Sequence, residues 1–285
     1  MSAAGPAAIA SRRLRLGDVD LHCETVGTGE ALVFIHGLGS CGEDWGPQVD
    51  HFRSRYRVVT FDLRGHGLSS KPRSSYTIPV FARDTAALLR ALQLDRAHVV
   101  GISLGGMVAF QLAIDAPELV RSLAIVNSGP AVPSQTFKQR MPLYIRLVYL
   151  RLLGLRRMAM MISKRLFPKP DQANLQRAFV ERIAGNDKHC YRASLKGIFA
   201  GWSVADRLPD IRCPVLVLTA DQDYAPVALK QAYADRLPDA RLVVVPDSRH
   251  ALPMEKPREF NAALDTFLAS LTPQRAAEPR ATAVS

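Results

Sequence analysis

One serine, one histidine and a pair of aspartates fall in this chain in an order that could build a single activated nucleophile. Val99-Val100-Gly101-Ile102-Ser103-Leu104-Gly105-Gly106 runs from an apolar stretch through Gly-x-Ser-x-Gly into an apolar helical pattern that begins Met107-Val108-Ala109-Phe110. A chain that turns from strand to helix in so few residues strains the residue at the apex. Flanking glycines remove the Cβ atoms that would collide there and leave the serine hydroxyl exposed at the end of a sheet. The five-residue pattern also occurs in turns that merely contain a serine, so its partners decide the reading. A hydroxyl is a poor nucleophile at neutral pH until a base takes its proton, and an imidazole base needs a carboxylate on its other nitrogen. Two later apolar runs end in such groups. Val215–Ala220 is followed by Asp221-Gln222-Asp223, and Leu242–Val245 by Pro246-Asp247-Ser248-Arg249-His250.

For these groups to meet, the runs must be neighbouring strands whose carboxyl ends share one edge. The pattern supports that arrangement. Arg12–Leu16 and Asp20–Val26 flank Gly17-Asp18 as an edge hairpin. Ala31–Ile35, Arg57–Phe61, His98–Ile102, Ser122–Val126, Val215–Leu218 and Leu242–Val245 read as strands buried on both faces. Helical patterns over Pro79–Gln93, Leu104–Asp115, Val227–Leu237 and Pro257–Leu271 separate them. The alternation predicts an α/β fold with a mostly parallel eight-stranded sheet and helices on both faces. The order Ser103, then an aspartate, then His250 suits a nucleophile on such a sheet.

With these residues in view the chain resembles the α/β-hydrolase superfamily from about Leu14 to Leu271. The resemblance rests on His36-Gly37-Leu38-Gly39, Asp62-Leu63-Arg64-Gly65-His66-Gly67, the Ser103 stretch, the Asp223 loop, and His250 with Glu255-Lys256-Pro257. It implies a serine esterase or lipase-like hydrolase acting without a cofactor or metal, with Ser103 as nucleophile and His250 as base. Spacing alone leaves Asp221 and Asp223 open as the acid. The family's loop favours Asp223 through Ala220–Asp223–Pro226, with alanine where glycine is commoner. The amide of Leu104 follows the nucleophile at a helix start and is one candidate oxyanion donor, and the resemblance makes the Leu38 amide the second. The expected substrate is a small-molecule carboxylic ester or thioester of a largely apolar acyl group. Lactonases, C–C bond hydrolases, acyltransferases and perhydrolases share the triad, whereas a serine here argues against the family's dehalogenases and epoxide hydrolases. A ligand receptor that retains the triad is the non-enzymatic alternative.

Several residues admit plainer roles. His36, Arg64 and His66 read as loop braces, Asp84 as a solvated or capping charge, and Trp45 as core packing. Gly37-Leu38-Gly39-Ser40-Cys41-Gly42 imitates a dinucleotide fingerprint, with Asp62 placed like its ribose-binding acid. That reading is disfavoured because Gly46-Pro47 interrupts the helix it needs and because it leaves Ser103, Asp223 and His250 unused.

The parallel alternation fails between residues 131 and 209, where apolar, Arg-rich helical patterns replace strands. This insertion matches the position of the family's cap, so the expected core spans 12–130 and 210–271. Residues 1–11 and 272–285 are the expected disordered tails. Fifteen Lys/Arg stand against five Asp/Glu over Ala131–Asp210, so the insertion holds nearly all of the formal charge of +11. The remainder is close to neutral, and nucleic acid is not an expected partner. Peripheral contact between the basic cap and anionic lipid is an expectation. The arginines do not share one helical face, however, so the stretch does not read as a clean amphipathic membrane helix. A composition 48% hydrophobic and 22% charged is that of a globular protein with a sizeable core. Scattered Cys23, Cys41, Cys190 and Cys213 fit a reducing compartment. Ser11-Arg12-Arg13 lacks the apolar segment of an export signal, and the expected location is cytoplasmic.

Overall fold

The computed structural model describes residues 9–132 and 136–271. The expectations for 1–8 and 272–285 lie outside these residues. Eight strands form one sheet: β1 (Ala10–Leu16), β2 (Val19–Val26), β3 (Ala31–Ile35), β4 (Arg57–Phe61), β5 (Ala97–Ile102), β6 (Val120–Val126), β7 (Val215–Ala220) and β8 (Ala240–Val245). Their spatial order is β1-β2-β4-β3-β5-β6-β7-β8. The pairs β1/β2 and β2/β4 are antiparallel, and β3/β4, β3/β5, β5/β6, β6/β7 and β7/β8 are parallel. This is the mostly parallel eight-stranded sheet expected from the alternation, in the fold that the family resemblance implied. One boundary needs correcting. β1 begins inside the supposed tail of 1–11, because Ala10 and Ser11 already pair with Thr25 and Glu24.

The uninterrupted apolar runs are explained by two-sided burial. Along β3 successive side chains point to opposite faces. Val33 and Ile35 join the core under α2 (Ile78–Ala91), α3 (Leu104–Asp115) and α8 (Val227–Ala234). Leu32 and Phe34 join the core under α1 (Gly46–Phe52) and α10 (Pro257–Leu271). Helix α1 corrects the reading of Gly46-Pro47 as an interruption. Proline occupies the first turn of α1, where its missing N–H costs no hydrogen bond.

Between β6 and β7 the inserted segment forms α4 (Phe137–Leu152), α5 (Gly154–Leu166), α6 (Ala173–Ala184) and α7 (Lys188–Ile198). A small core of its own holds these helices together, with Leu150, Met158, Ala159, Tyr191 and Leu195 buried in it. Arg182 of α6 tethers them to the body, its guanidinium pairing with Glu43 at 2.6 Å and Asp44 at 3.1 Å. A short α9 (Leu252–Glu255) precedes α10. No helix among the described residues is long and apolar enough to cross a membrane.

Candidate active site

Sheet order places the chemistry. β3 and β5 are adjacent with Ile35 opposite Gly101, so the loop after β3 and the turn after β5 leave the sheet side by side. Ser103 is the apex of that turn, with φ 54° and ψ −116°. Non-glycine residues rarely adopt such a conformation, and here the surroundings hold it. The Ser103 amide donates to the Val126 carbonyl at 3.0 Å, and its carbonyl accepts from Gly106 N at 3.0 Å and Ser128 Oγ at 2.6 Å. The flanking glycines are required by close approach. A Cβ on Gly101 would strike the Gly105 carbonyl, one on Gly105 the Ile35 carbonyl, and one on Gly106 the Ser128 side chain at 2.5 Å.

His250 and Asp223 arrive from the ends of β8 and β7. His250 Nδ1 lies 2.6 Å from Asp223 Oδ1. An ionised carboxylate only accepts, so Nδ1 carries the proton and Nε2 is left as the basic nitrogen. The Tyr224 ring lies against the imidazole, centroids 4.3 Å apart. Asp221 does other work: its two oxygens accept from Asp247 N at 3.0 Å and Ser248 N at 3.1 Å, fixing the turn that leads to His250. The structure therefore brings Asp223, not Asp221, to the imidazole.

Two residues that sequence reasoning passed over complete this pair. Lys230, on α8, donates to Asp223 Oδ2 at 2.6 Å, and both side chains are buried, at 4% and 2% exposure. Burial alone would raise the Asp223 carboxyl, but the hydrogen bond and charge of His250, with the charge of Lys230, hold it well below the usual carboxylate range. Asn127 follows β6 in the left-handed region, φ 43°. Its amide donates to the Arg249 and His250 carbonyls at 3.1 and 3.0 Å, and its Oδ1 accepts from Thr219 Oγ1 and Ala220 N at 3.1 and 2.9 Å. One side chain thus clamps the acid-bearing strand to the base-bearing loop. An asparagine at the end of a buried strand, and a lysine on a helix packed against the sheet, were the available signals.

The candidate oxyanion donors lie beside the nucleophile. Leu104 opens α3, whose first N–H groups have no intrahelical acceptor, while its side chain is fully buried. Leu38 sits in the β3 loop, and the preceding residue runs so close that a Cβ on Gly37 would lie 3.5 Å from Ser103 Cβ. His36 braces this loop from beneath: Nε2 accepts from Leu63 N at 3.0 Å and Nδ1 faces the Gly37 carbonyl at 2.8 Å. Burial drives its ring toward the neutral form that such bonding needs.

Asp62 accepts from Gly42 N and Leu68 N, both at 2.7 Å, so its carboxylate is spent on loop structure rather than offered to a ribose. Arg64 is fully buried and pairs with Asp84 through Nη2 at 2.8 Å, with a second bond from Nε, and with Asp18 at 3.0 Å. Asp84 is therefore a buried counter-ion, not the solvated or capping charge expected from its helix. Trp45 both packs on Phe34, centroids 4.8 Å apart, and borders the cavity.

That cavity, about 690 Å³, is shared by Ser103, Leu38, Asp223 and His250. The inserted helices supply much of its apolar wall through Ile162, Leu166, Phe179, Ile183 and Leu195. Among the described residues no group of three or more His, Cys, Asp or Glu side chains is placed to hold a metal ion.

A strained serine and a histidine–carboxylate pair at the carboxyl edge of a parallel sheet are the hallmark of hydrolases of the nucleophile-elbow class. Comparison with known proteins supplies the family. Residues 32–263 match the alpha/beta hydrolase family, and the chain belongs to it. It is 31% identical over 258 residues to a protein named as the carbamate hydrolase RutD from Caulobacter sp. (strain K31), covering 87% of this chain and 94% of that one. It is 30% identical over 258 residues to 3-oxoadipate enol-lactonase 2 from Acinetobacter baylyi, covering 88% and 94%. Among solved structures, the enol-lactonase from Burkholderia xenovorans LB400 superposes with a TM-score of 0.83 at 25% identity, covering 90% of this chain and 100% of that one. The family and these relatives support hydrolase activity.

Proposed function

We propose that this protein is a serine hydrolase that cleaves a carboxylic ester, open-chain or cyclic, or a thioester, of a largely apolar acyl group through an acyl-enzyme. The observation that carries the reading is the opening of Ser103 and the His250–Asp223 pair onto one apolar cavity. The cyclic ester is included because relatives at 25–30% identity are named as lactonases.

In this mechanism Ser103 Oγ attacks the carbonyl carbon as its proton passes to His250 Nε2. Asp223 keeps the imidazole in the required tautomer and balances the imidazolium that forms. The Leu38 and Leu104 amides hold the tetrahedral oxyanion. Collapse breaks the bond to the leaving oxygen or sulfur, which takes the proton from His250. Water, deprotonated by the same nitrogen, then releases the acid and restores Ser103.

The test is labelling with a fluorophosphonate, followed by turnover of an ester chain-length series. Wild type should label and turn over repeatedly, Ser103→Ala should do neither, and rate should rise with acyl length as the cavity fills. Labelling without repeated turnover would overturn the enzymatic reading in favour of a receptor.

A further inference from the structure

The insertion presents a surface that the proposed chemistry does not use. Helix α4 begins at a capping box in which Thr136 and Gln139 exchange hydrogen bonds at 3.2 and 3.0 Å. From there Phe137, Met141, Tyr144, Ile145, Val148 and Leu152 are all exposed, with Phe137 at 68% and Leu152 at 71%. At about 100° per residue these six positions fall within one arc of roughly 100°. Leu143 and Leu150 lie outside that arc and are buried in the core of the inserted helices, while Arg146, on the far side, borders the cavity. Helix α4 is thus apolar on two sides, and among the described residues only one is covered by protein. The arginines do not share a face, as their spacing indicated, but the exposed apolar residues do.

Charge identifies what covers the second side. From Phe137 to Leu166 there are eight Lys/Arg and no Asp/Glu. On the helix, Lys138 flanks one margin of the apolar arc and Arg151 the other. We propose that this face of α4 docks on an anionic lipid bilayer, lying in the interface with its apolar arc among the acyl chains and its cations at the phosphates. The helix has 16 residues, about 24 Å long, which suits lying along a bilayer better than crossing one. A second copy of this chain would bring like charge against like, and nucleic acid would meet the cations but leave six apolar side chains without a partner. The inference stands independently of the reaction at Ser103.

The experiment is co-sedimentation with vesicles of phosphatidylglycerol mixed with phosphatidylcholine, against vesicles of phosphatidylcholine alone, over a salt series. Wild type should bind the anionic vesicles at least about tenfold more tightly, and added salt should weaken that binding. Each cation at such a surface is worth roughly fivefold, so Lys138→Glu with Arg151→Glu should weaken binding by well over tenfold. Ile145→Asp with Val148→Asp should abolish binding while far-UV circular dichroism stays unchanged. If that pair fails to fold, Val148→Trp reads the same contact through a blue shift of indole emission on anionic vesicles. Failure of wild type to bind anionic vesicles, or an Asp pair that folds and binds as well as wild type, overturns the proposal. So does self-association in the absence of lipid that the Asp pair abolishes, or binding of single-stranded nucleic acid in preference to vesicles.

Discussion

Replacing Lys230 by methionine should destabilise the protein by an amount the geometry sets. Lys230 Nζ donates to Asp223 Oδ2 at 2.6 Å, and the two side chains are 4% and 2% exposed. Methionine fills the space of the lysine stem but removes one of the two partners of a buried carboxylate, leaving it the His250 contact at 2.6 Å. Breaking a buried ion pair from one side costs about 3–5 kcal/mol, and the partner that Asp223 keeps brings the expected loss to about 2–3 kcal/mol. The sign with pH follows from charge: Lys230 helps to hold the Asp223 carboxyl below its usual range. Without it the carboxyl protonates at higher pH, so the loss of stability in acid should begin at higher pH in Lys230→Met than in wild type. The assay is denaturant unfolding of wild type, Lys230→Met and Lys230→Arg over a pH series. Lys230→Arg, which keeps the charge, should recover most of the loss. A lysine that only fills space would leave the acid dependence in place. A loss below about 1 kcal/mol, or an acid dependence that is unmoved or displaced to lower pH, would refute the electrostatic reasoning.

Asp223→Asn should lower kcat by several orders of magnitude, since the amide cannot balance an imidazolium and favours the wrong tautomer. Asp221→Asn should act mainly on stability, because that carboxylate holds only backbone amides. The depressed Asp223 carboxyl also makes stability depend on pH. Its contribution is complete above the unfolded carboxyl's value of about 4 and is lost as pH falls below it, so denaturation of wild type and Asp223→Asn should converge in acid. Asp84→Asn, which leaves the buried Arg64 guanidinium without its bidentate partner, should cost about 3–5 kcal/mol in denaturant unfolding. Arg64 Nη1 also donates to Ser74 Oγ at 2.8 Å, and a loss below about 1 kcal/mol would show that Asp18 and Ser74 suffice for Arg64.

Much of the architecture was legible because the signals were local and physical. Doubly buried strands must be apolar throughout, and Gly101, Gly105 and Gly106 stand where no Cβ fits, so the sheet and the elbow are written in residue type. Helix α1 was misread because Gly-Pro breaks a helix interior yet opens a first turn, and only the position of the proline within the helix separates the two. Asp84 looked solvated because an amphipathic pattern does not say that a buried arginine waits opposite.

What the chain order determined by itself was the set of groups that face one cavity: an elbow serine, a late aspartate and a later histidine at strand ends that share one sheet edge. What only tertiary structure decided was how they are held. Asp221 and Asp223 are two residues apart and chemically identical, and the path of the β7 loop alone turns one to the imidazole and the other to the backbone beneath it. Lys230 and Asn127 act across contacts between separate elements, which no local pattern encodes. The same holds for α4, whose apolar residues are plain in the sequence. Only the packing of the inserted helices showed that half of them face outward, because burial belongs to the fold and not to the residue.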